Sequence, residues 1–163
     1  MSRARIGHGF DAHRLTVGRR LWLGGVEIPH DRGLAGHSDG DVLLHAVTSA
    51  LLGALGLGDL GTHFPSSDER WRGAASADLL GHACGLMRAR GYALGNLDAT
   101  VIAEQPRLAA HQAAMRARLA QLLGAPESAV NVKVTSTDAL GAIGRGEGIA
   151  AHAVVLLIAA EGA

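Results

Sequence analysis

Residues 8 to 14 read HGFDAHR, two imidazoles and a carboxylate within seven positions. In an extended strand alternate side chains share a face, so Asp11 and His13 project together while His8 points the other way with Phe10 and Ala12. Two convergent ligands seldom hold a divalent metal, whereas a catalytic zinc takes about three protein ligands and keeps one position open. The third is available in HSDGDVLLHA, 37 to 46, where His45 follows Asp41 by one helical turn and shares its face. Asp11, His13 and His45 together make an Asp/His/His set. Zinc is the leading ion for it, with manganese or iron left open by ligand type. A hydrogen-bonded core histidine is the competing account of each ring, but four of the nine histidines fall in these two segments.

Other polar groups cluster near the same chemistry. Ser38, Asp39 and Asp41 suit the first turn of a helix, where hydroxyls and carboxylates satisfy unpaired N–H groups. His37 has no such structural use and can present an N–H to a phosphate beside that helix start. TSTD, 135 to 138, ends a strand with three hydroxyls and an acid. This is either turn chemistry or a set of donors with Asp138 holding a hard cation such as magnesium. GRGEG, 144 to 148, frames Arg145 and Glu147 with glycine, suited to a flexible turn, an ion pair or a phosphate contact. AEQPRLA, 103 to 109, is a strand-to-helix turn that can also seat a base.

The elements that must position these groups are legible as pattern. RARIGHGF, 3 to 10, reads as a strand, and RRLWLGGVEIP as two short strands around the turn dipeptide Gly24-Gly25. The apolar stripe Val42, Leu43, Ala46, Val47, Ala50 and Leu51 predicts a helix over about 39 to 55 with Ser38 as its cap. A polar loop, 56 to 73, is long enough to be functional. Ser76 is expected to cap a second helix that Gly91 ends, and Pro106 to open a third that Gly124 closes. Strands are expected at 93 to 104, 130 to 137 and 148 to 160. The order predicts an α/β fold of α+β type, one mixed sheet with helices on one face.

The 163 residues are the size of one domain, 1–163, and their zero formal charge argues against a polyanion-binding protein. Aromatic residues at 3% leave too few rings for stacking single-stranded nucleic acid, so no nucleic-acid partner is expected. The single Cys84 allows no intramolecular disulfide and no thiolate zinc site. The longest apolar run, 153 to 160, is far short of the ~20 residues of a membrane span, and the first ten residues lack a signal-peptide core. No membrane partner and a cytoplasmic location are therefore expected.

RIGHGFDAHRL, HSDGDVLLHA, LGDLGTHFP, GYALGNLDATVIAEQPRL and VNVKVTSTDALGAIGRGEGIA follow one another over nearly the whole chain. On these motifs the sequence closely resembles the 2-C-methyl-D-erythritol 2,4-cyclodiphosphate synthases of the non-mevalonate isoprenoid pathway. The resemblance implies a homotrimer with sheets facing the three-fold axis and an active site at each junction between subunits. It implies zinc on Asp11, His13 and His45, with a second cation, magnesium or manganese, at Asp138. The implied substrate is a cytidine diphosphate, 4-diphosphocytidyl-2-C-methyl-D-erythritol 2-phosphate, whose 2-phosphate attacks its own β-phosphorus and expels CMP.

Carried over residue by residue, His37 and Ser136 act as catalytic groups, and Asp11, Ala12, His13, His37 and Ser38 contact substrate. Asp59, Leu60 and Gly61, with Phe64, Pro65, Ser66, Ser67 and Asp68, line the methylerythritol end. Ala103, Glu104, Gln105, Pro106, Arg107, Leu108 and Ala109 hold cytosine. Thr135, Ser136, Thr137 and Asp138 reach the diphosphate, while Ala142 and Arg145 lie toward the trimer axis. Two other functions compete: a metal-dependent hydrolase of nucleotide diphosphates, and a non-catalytic trimeric zinc-binding protein.

Overall fold

The computed structural model describes residues 3–160; Met1, Ser2 and residues 161–163, counted above within the one domain and, at the start, in the signal-peptide reading, lie outside it. The first strand, β1 (Ala4–Val17), is longer than its apolar pattern predicts and runs through both metal-capable residues. It is followed by β2 (Leu21–Leu23), β3 (Val26–Ile28) and β4 (Arg32–Leu34), the last not foreseen from sequence. Helix α1 (Val42–Leu55) and the short α2 (Leu60–His63) precede α3 (Ser76–Ala89) and β5 (Tyr92–Ile102). Then come α4 (Gln112–Leu123), β6 (Val130–Thr135), the short α5 (Gly141–Gly144) and β7 (Gly148–Ala159).

The main sheet has the order β4-β1-β7-β5-β6. All neighbours are antiparallel except β5 and β6, so the sheet is mixed, as expected. α1 lies across β1 and β7, α4 against β6, and α3 beside α1, on one face. The aliphatic core sits between these helices and the sheet, with Val101, Ala153, Val155 and Leu157 from the strands meeting Leu43, Leu51 and Leu80. No helix among the described residues is long and apolar enough to cross a membrane.

Two features seat α1. A Cβ built on Gly9 would stand 1.8 Å from the Ala46 carbonyl oxygen, and one on Gly7 1.9 Å from that of Ala50. Backbone therefore rests on backbone, which only glycine permits. The β2–β3 turn supplies the second contact, because Gly24 and Gly25 have positive φ, 61° and 73°, and their N–H groups donate to the Asp41 carboxylate at 2.9 and 2.7 Å. The same carboxylate accepts from Leu44 N–H at 3.0 Å and is the cap of α1.

Several expected boundaries move. Ser38 does not cap α1, which starts at Val42; the turn at Gly40 (φ 76°) separates them and leaves the cap to Asp41. Ser76 is the first residue of α3 rather than its cap, and Asp39 takes its N–H at 3.0 Å. The third helix begins at Gln112, not at Pro106, because Ala103 N–H bonds the Thr135 carbonyl and holds the following segment as a loop beside β6. Residues 136 to 138 lie past the end of β6, since Asp138 and Ala139 adopt positive φ, 53° and 62°, which a strand cannot contain.

Candidate active site

On β1 the inward row is Arg5, Gly7, Gly9, Asp11, His13 and Leu15, so the strand period delivers Asp11 and His13 to the side where α1 carries His45. Asp11 Oδ2 stands 2.8 Å from His13 Nε2 and 2.9 Å from His45 Nδ1, and the two ring nitrogens are 3.2 Å apart. Four-coordinate zinc with bonds of about 2.1 Å spaces its ligands by about 3.4 Å, so these donors fit it after a small opening. Each imidazole is held through its other nitrogen: His13 Nδ1 faces the Ala35 carbonyl, and His45 Nε2 faces the hydroxyls of Ser76 and Ser38 at 2.9 and 3.1 Å. Such outer bonds orient metal ligands.

Electrostatics tighten the group. Burial disfavours charge on Asp11, yet the hydrogen bonds from His13 and His45 hold its carboxyl well below the usual carboxylate range. The bond to Asp11 in turn raises His13 above the ordinary imidazole value, against its burial. Asp41 is not part of the set, although it shares a helical face with His45. Full burial pushes its carboxyl up, and its three N–H bonds oppose that.

The donors open on a cavity of about 170 Å³ lined by His13, His37, Ser38, His45, Leu60, Phe64, Ser66, Trp71 and Leu79. Phe64 meets Trp71 edge to face, ring centres 4.9 Å apart, which makes the far wall apolar. Trp71 and Leu79 carried no signal in the sequence beyond ordinary hydrophobicity. Of the other residues expected here, Asp59 caps α2 through Thr62, and Asp68 is engaged by the Arg70 guanidinium. Gly61, Pro65 and Ser67 belong to the same segment but are not among the lining residues.

A second cleft, about 320 Å³, is lined by Ala103, Glu104, Gln105, Pro106, Arg107, Leu108 and Ala109 together with Val134, Thr135 and Ser136. The loop that displaces the start of α4 is thus one of its walls. Thr137 is turned to the Leu140 carbonyl, 2.7 Å, and Asp138 is exposed at the rim segment beyond Ser136. Ala12 and Ala142 border a third hollow with His13, Arg14, Ile143 and Glu147, where Arg145 pairs with Glu147 at 2.6 Å. The first and second clefts share no residue.

The YgbB family profile matches residues 4–158. The chain belongs to the YgbB family. It is similar to the 2-C-methyl-D-erythritol 2,4-cyclodiphosphate synthase of Geotalea daltonii, 58% identical over 153 residues that cover 94% of this chain and 90% of that one. Among solved structures, the bifunctional IspDF of Campylobacter jejuni superposes with a TM-score of 0.92 at 43% identity. That match covers 96% of this chain and 42% of the other, so this chain spans less than half of the bifunctional protein. The CDP complex of IspF from Plasmodium falciparum superposes with a TM-score of 0.87 at 34% identity, covering 99% and 100%. In this YgbB chain the most specific motifs, HSDGD with His45 and GRGEGIA, border the first and third hollows described above.

Proposed function

We propose that the chain, acting as one domain over 1–163, converts 4-diphosphocytidyl-2-C-methyl-D-erythritol 2-phosphate to 2-C-methyl-D-erythritol 2,4-cyclodiphosphate and CMP. The observation that carries this is the convergence of Asp11, His13 and His45 beside a largely apolar cavity, in a chain of this family. An oxygen of the 2-phosphate bonds to the β-phosphorus, the bond from that phosphorus to the bridging oxygen breaks, and the oxygen departs with CMP. Zinc on Asp11, His13 and His45, with magnesium or manganese at Asp138, supplies neutralisation of the phosphate charges that otherwise repel one another.

The protein's own groups bind and orient. His37 presents an N–H to phosphate beside the donor set, Leu60 and Phe64 receive the methylerythritol skeleton, and the 103 to 109 loop holds cytosine. Ser136 donates its hydroxyl to the diphosphate. Because attack is intramolecular, holding the two ends close draws on entropy already spent in binding. No covalent nucleophile is required, and Cys84 is buried with its thiol pushed up to about 11 by desolvation.

We assign the working form as a homotrimer whose sheets face the three-fold axis, in the cytoplasm. Two features support the trimer. The outer sheet face exposes Ile6, Phe10, Val154 and Ile158, and the first two clefts share no residue within one chain, so a neighbouring copy can bring them together. Incubating purified protein with the proposed substrate, zinc and magnesium should release CMP and the cyclic diphosphate in equal amounts, read by phosphorus NMR. CMP with the open-chain 2,4-bisphosphate, or CDP with the 2-phosphate, would instead identify a hydrolase, and no turnover would favour a binding protein.

A further inference from the structure

Ser76 is completely buried, although it is the first residue of α3 and caps nothing with its side chain. Its hydroxyl donates to Asp39 Oδ1, and its backbone N–H donates to Asp39 Oδ2 at 3.0 Å. Asp39 also accepts from the Asp41 N–H at 3.0 Å, so both carboxylate oxygens are committed to donors. On its other side the Ser76 oxygen lies 2.9 Å from His45 Nε2.

The donor count decides the direction of each bond. A carboxylate only accepts, and a hydroxyl has one hydrogen to give. With that hydrogen directed to Asp39, the Ser76 oxygen can only accept from the ring. His45 Nε2 must therefore carry the hydrogen, which leaves the Nδ1 lone pair for whatever lies between Asp11 and His13. Ser38 Oγ, 3.1 Å from the same nitrogen and 3.3 Å from Ser76 Oγ, lies on the same side of the ring.

We propose that Ser76 and Asp39 are positioning residues: a carboxylate–hydroxyl–imidazole relay that sets the tautomer and rotation of His45, making Nδ1 its metal-ligating atom. The relay joins a residue of α3 to a ligand on α1, so docking of one helix conditions the site built on the other. This rests on the reading of Asp11, His13 and His45 as a metal centre. Ser76 belongs neither to the lining of the first cavity nor to the donor set, and a purely structural role would affect melting temperature without changing metal affinity.

The test is a zinc titration against a chromophoric chelator, using the full chain as parent, Ser76→Ala, Asp39→Asn and His45→Ala, with thermal melts beside it. An amide cannot replace the Asp39 carboxylate silently, because its NH₂ group must oppose a donor at one oxygen position. Zinc should bind about 10–100-fold more weakly to Ser76→Ala and Asp39→Asn, as for other outer partners of metal ligands. Zinc-loaded parent should also show a slowly exchanging His45 Nε2 proton with a nuclear Overhauser contact to the Ser76 β-protons. A zinc affinity within about twofold of parent in folded Ser76→Ala overturns the relay. If that variant does not fold, the parent spectrum decides alone: no protected Nε2 proton, no relay. Zinc retained by His45→Ala would reject the metal centre itself, a result distinct from failure of the relay.

Discussion

The role proposed for Asp138 is one that its backbone makes easy to test. It sits in left-handed conformation with φ 53°, exposed, its N–H 3.2 Å from the Ser136 hydroxyl. Asparagine tolerates that conformation as well as aspartate does, so Asp138→Asn removes charge without rebuilding the turn. If the carboxylate holds a cation on the diphosphate, turnover should fall at least ~10-fold, a barrier increase of ~1.4 kcal/mol, while CMP binding changes little. Excess magnesium should restore part of the rate. Ser136→Ala should slow the reaction without altering its magnesium dependence. Steady-state rates across a magnesium titration distinguish the two, and a normal rate in Asp138→Asn would leave the residue a turn former only. At this scale the sequence was informative about Asp11, His13 and His45, whose types and positions suggest one set, although spacing alone left a hydrogen-bonded core histidine as the competing account. It misassigned Ser38 and Ser76, because a hydroxyl before a helix looks the same whether it caps that helix or faces a histidine on another.

Between β1 and α1 the decisive residues have no side chains. Gly7 and Gly9 let the helix lie on the strand, and the distance from Asp11 to His45 follows from that contact. Gly9→Ala would push a methyl into the Ala46 carbonyl, so α1 must lift or the strand must bend. Expected costs are about 3 kcal/mol of stability, at the upper end for overpacking, together with loss of zinc because His45 is displaced. Gly53→Ala is the matched control: its Cβ would meet nothing nearer than 3.9 Å, and alanine in a helix interior should stabilise by roughly 0.5–1 kcal/mol. Urea unfolding of both variants checks the contrast, and equal stabilities would refute the close-packing account. Alternation and stripe made both elements readable in the sequence. The glycines were readable only as interruptions, since the atoms they accommodate lie some forty residues away.

Viewed as a whole, the molecule has one covered and one open sheet face. Ile6, at 72% exposed, and Val154, at 43%, stand on the open side with Phe10 and Ile158, and such an apolar face favours partners over water. If three copies close around it, Ile6→Glu combined with Val154→Glu should yield a monomer by light scattering. Turnover should then fall more than ~100-fold, because the cytosine cleft of the neighbour is lost and with it ~2.7 kcal/mol or more of transition-state stabilisation. Zinc content should persist, since the donor set lies on the opposite face of β1. A monomer of full activity would place the entire site within one chain.

What the amino-acid order determined by itself is local: the shared strand face of Asp11 and His13, the apolar stripe of α1, the Gly24-Gly25 turn and the family motifs. Each depends on a backbone period or a φ preference, which a few neighbouring residues specify. Tertiary structure alone decided that Asp41 serves the hairpin and the helix cap instead of the metal set, and that Ser76, bonded to Asp39, reaches His45 from another helix. It also decided that the 103 to 109 loop stays out of α4 to wall a second cleft. These outcomes turn on which donor meets which acceptor across 16 to 37 residues of chain, a competition settled by packing rather than by any local pattern.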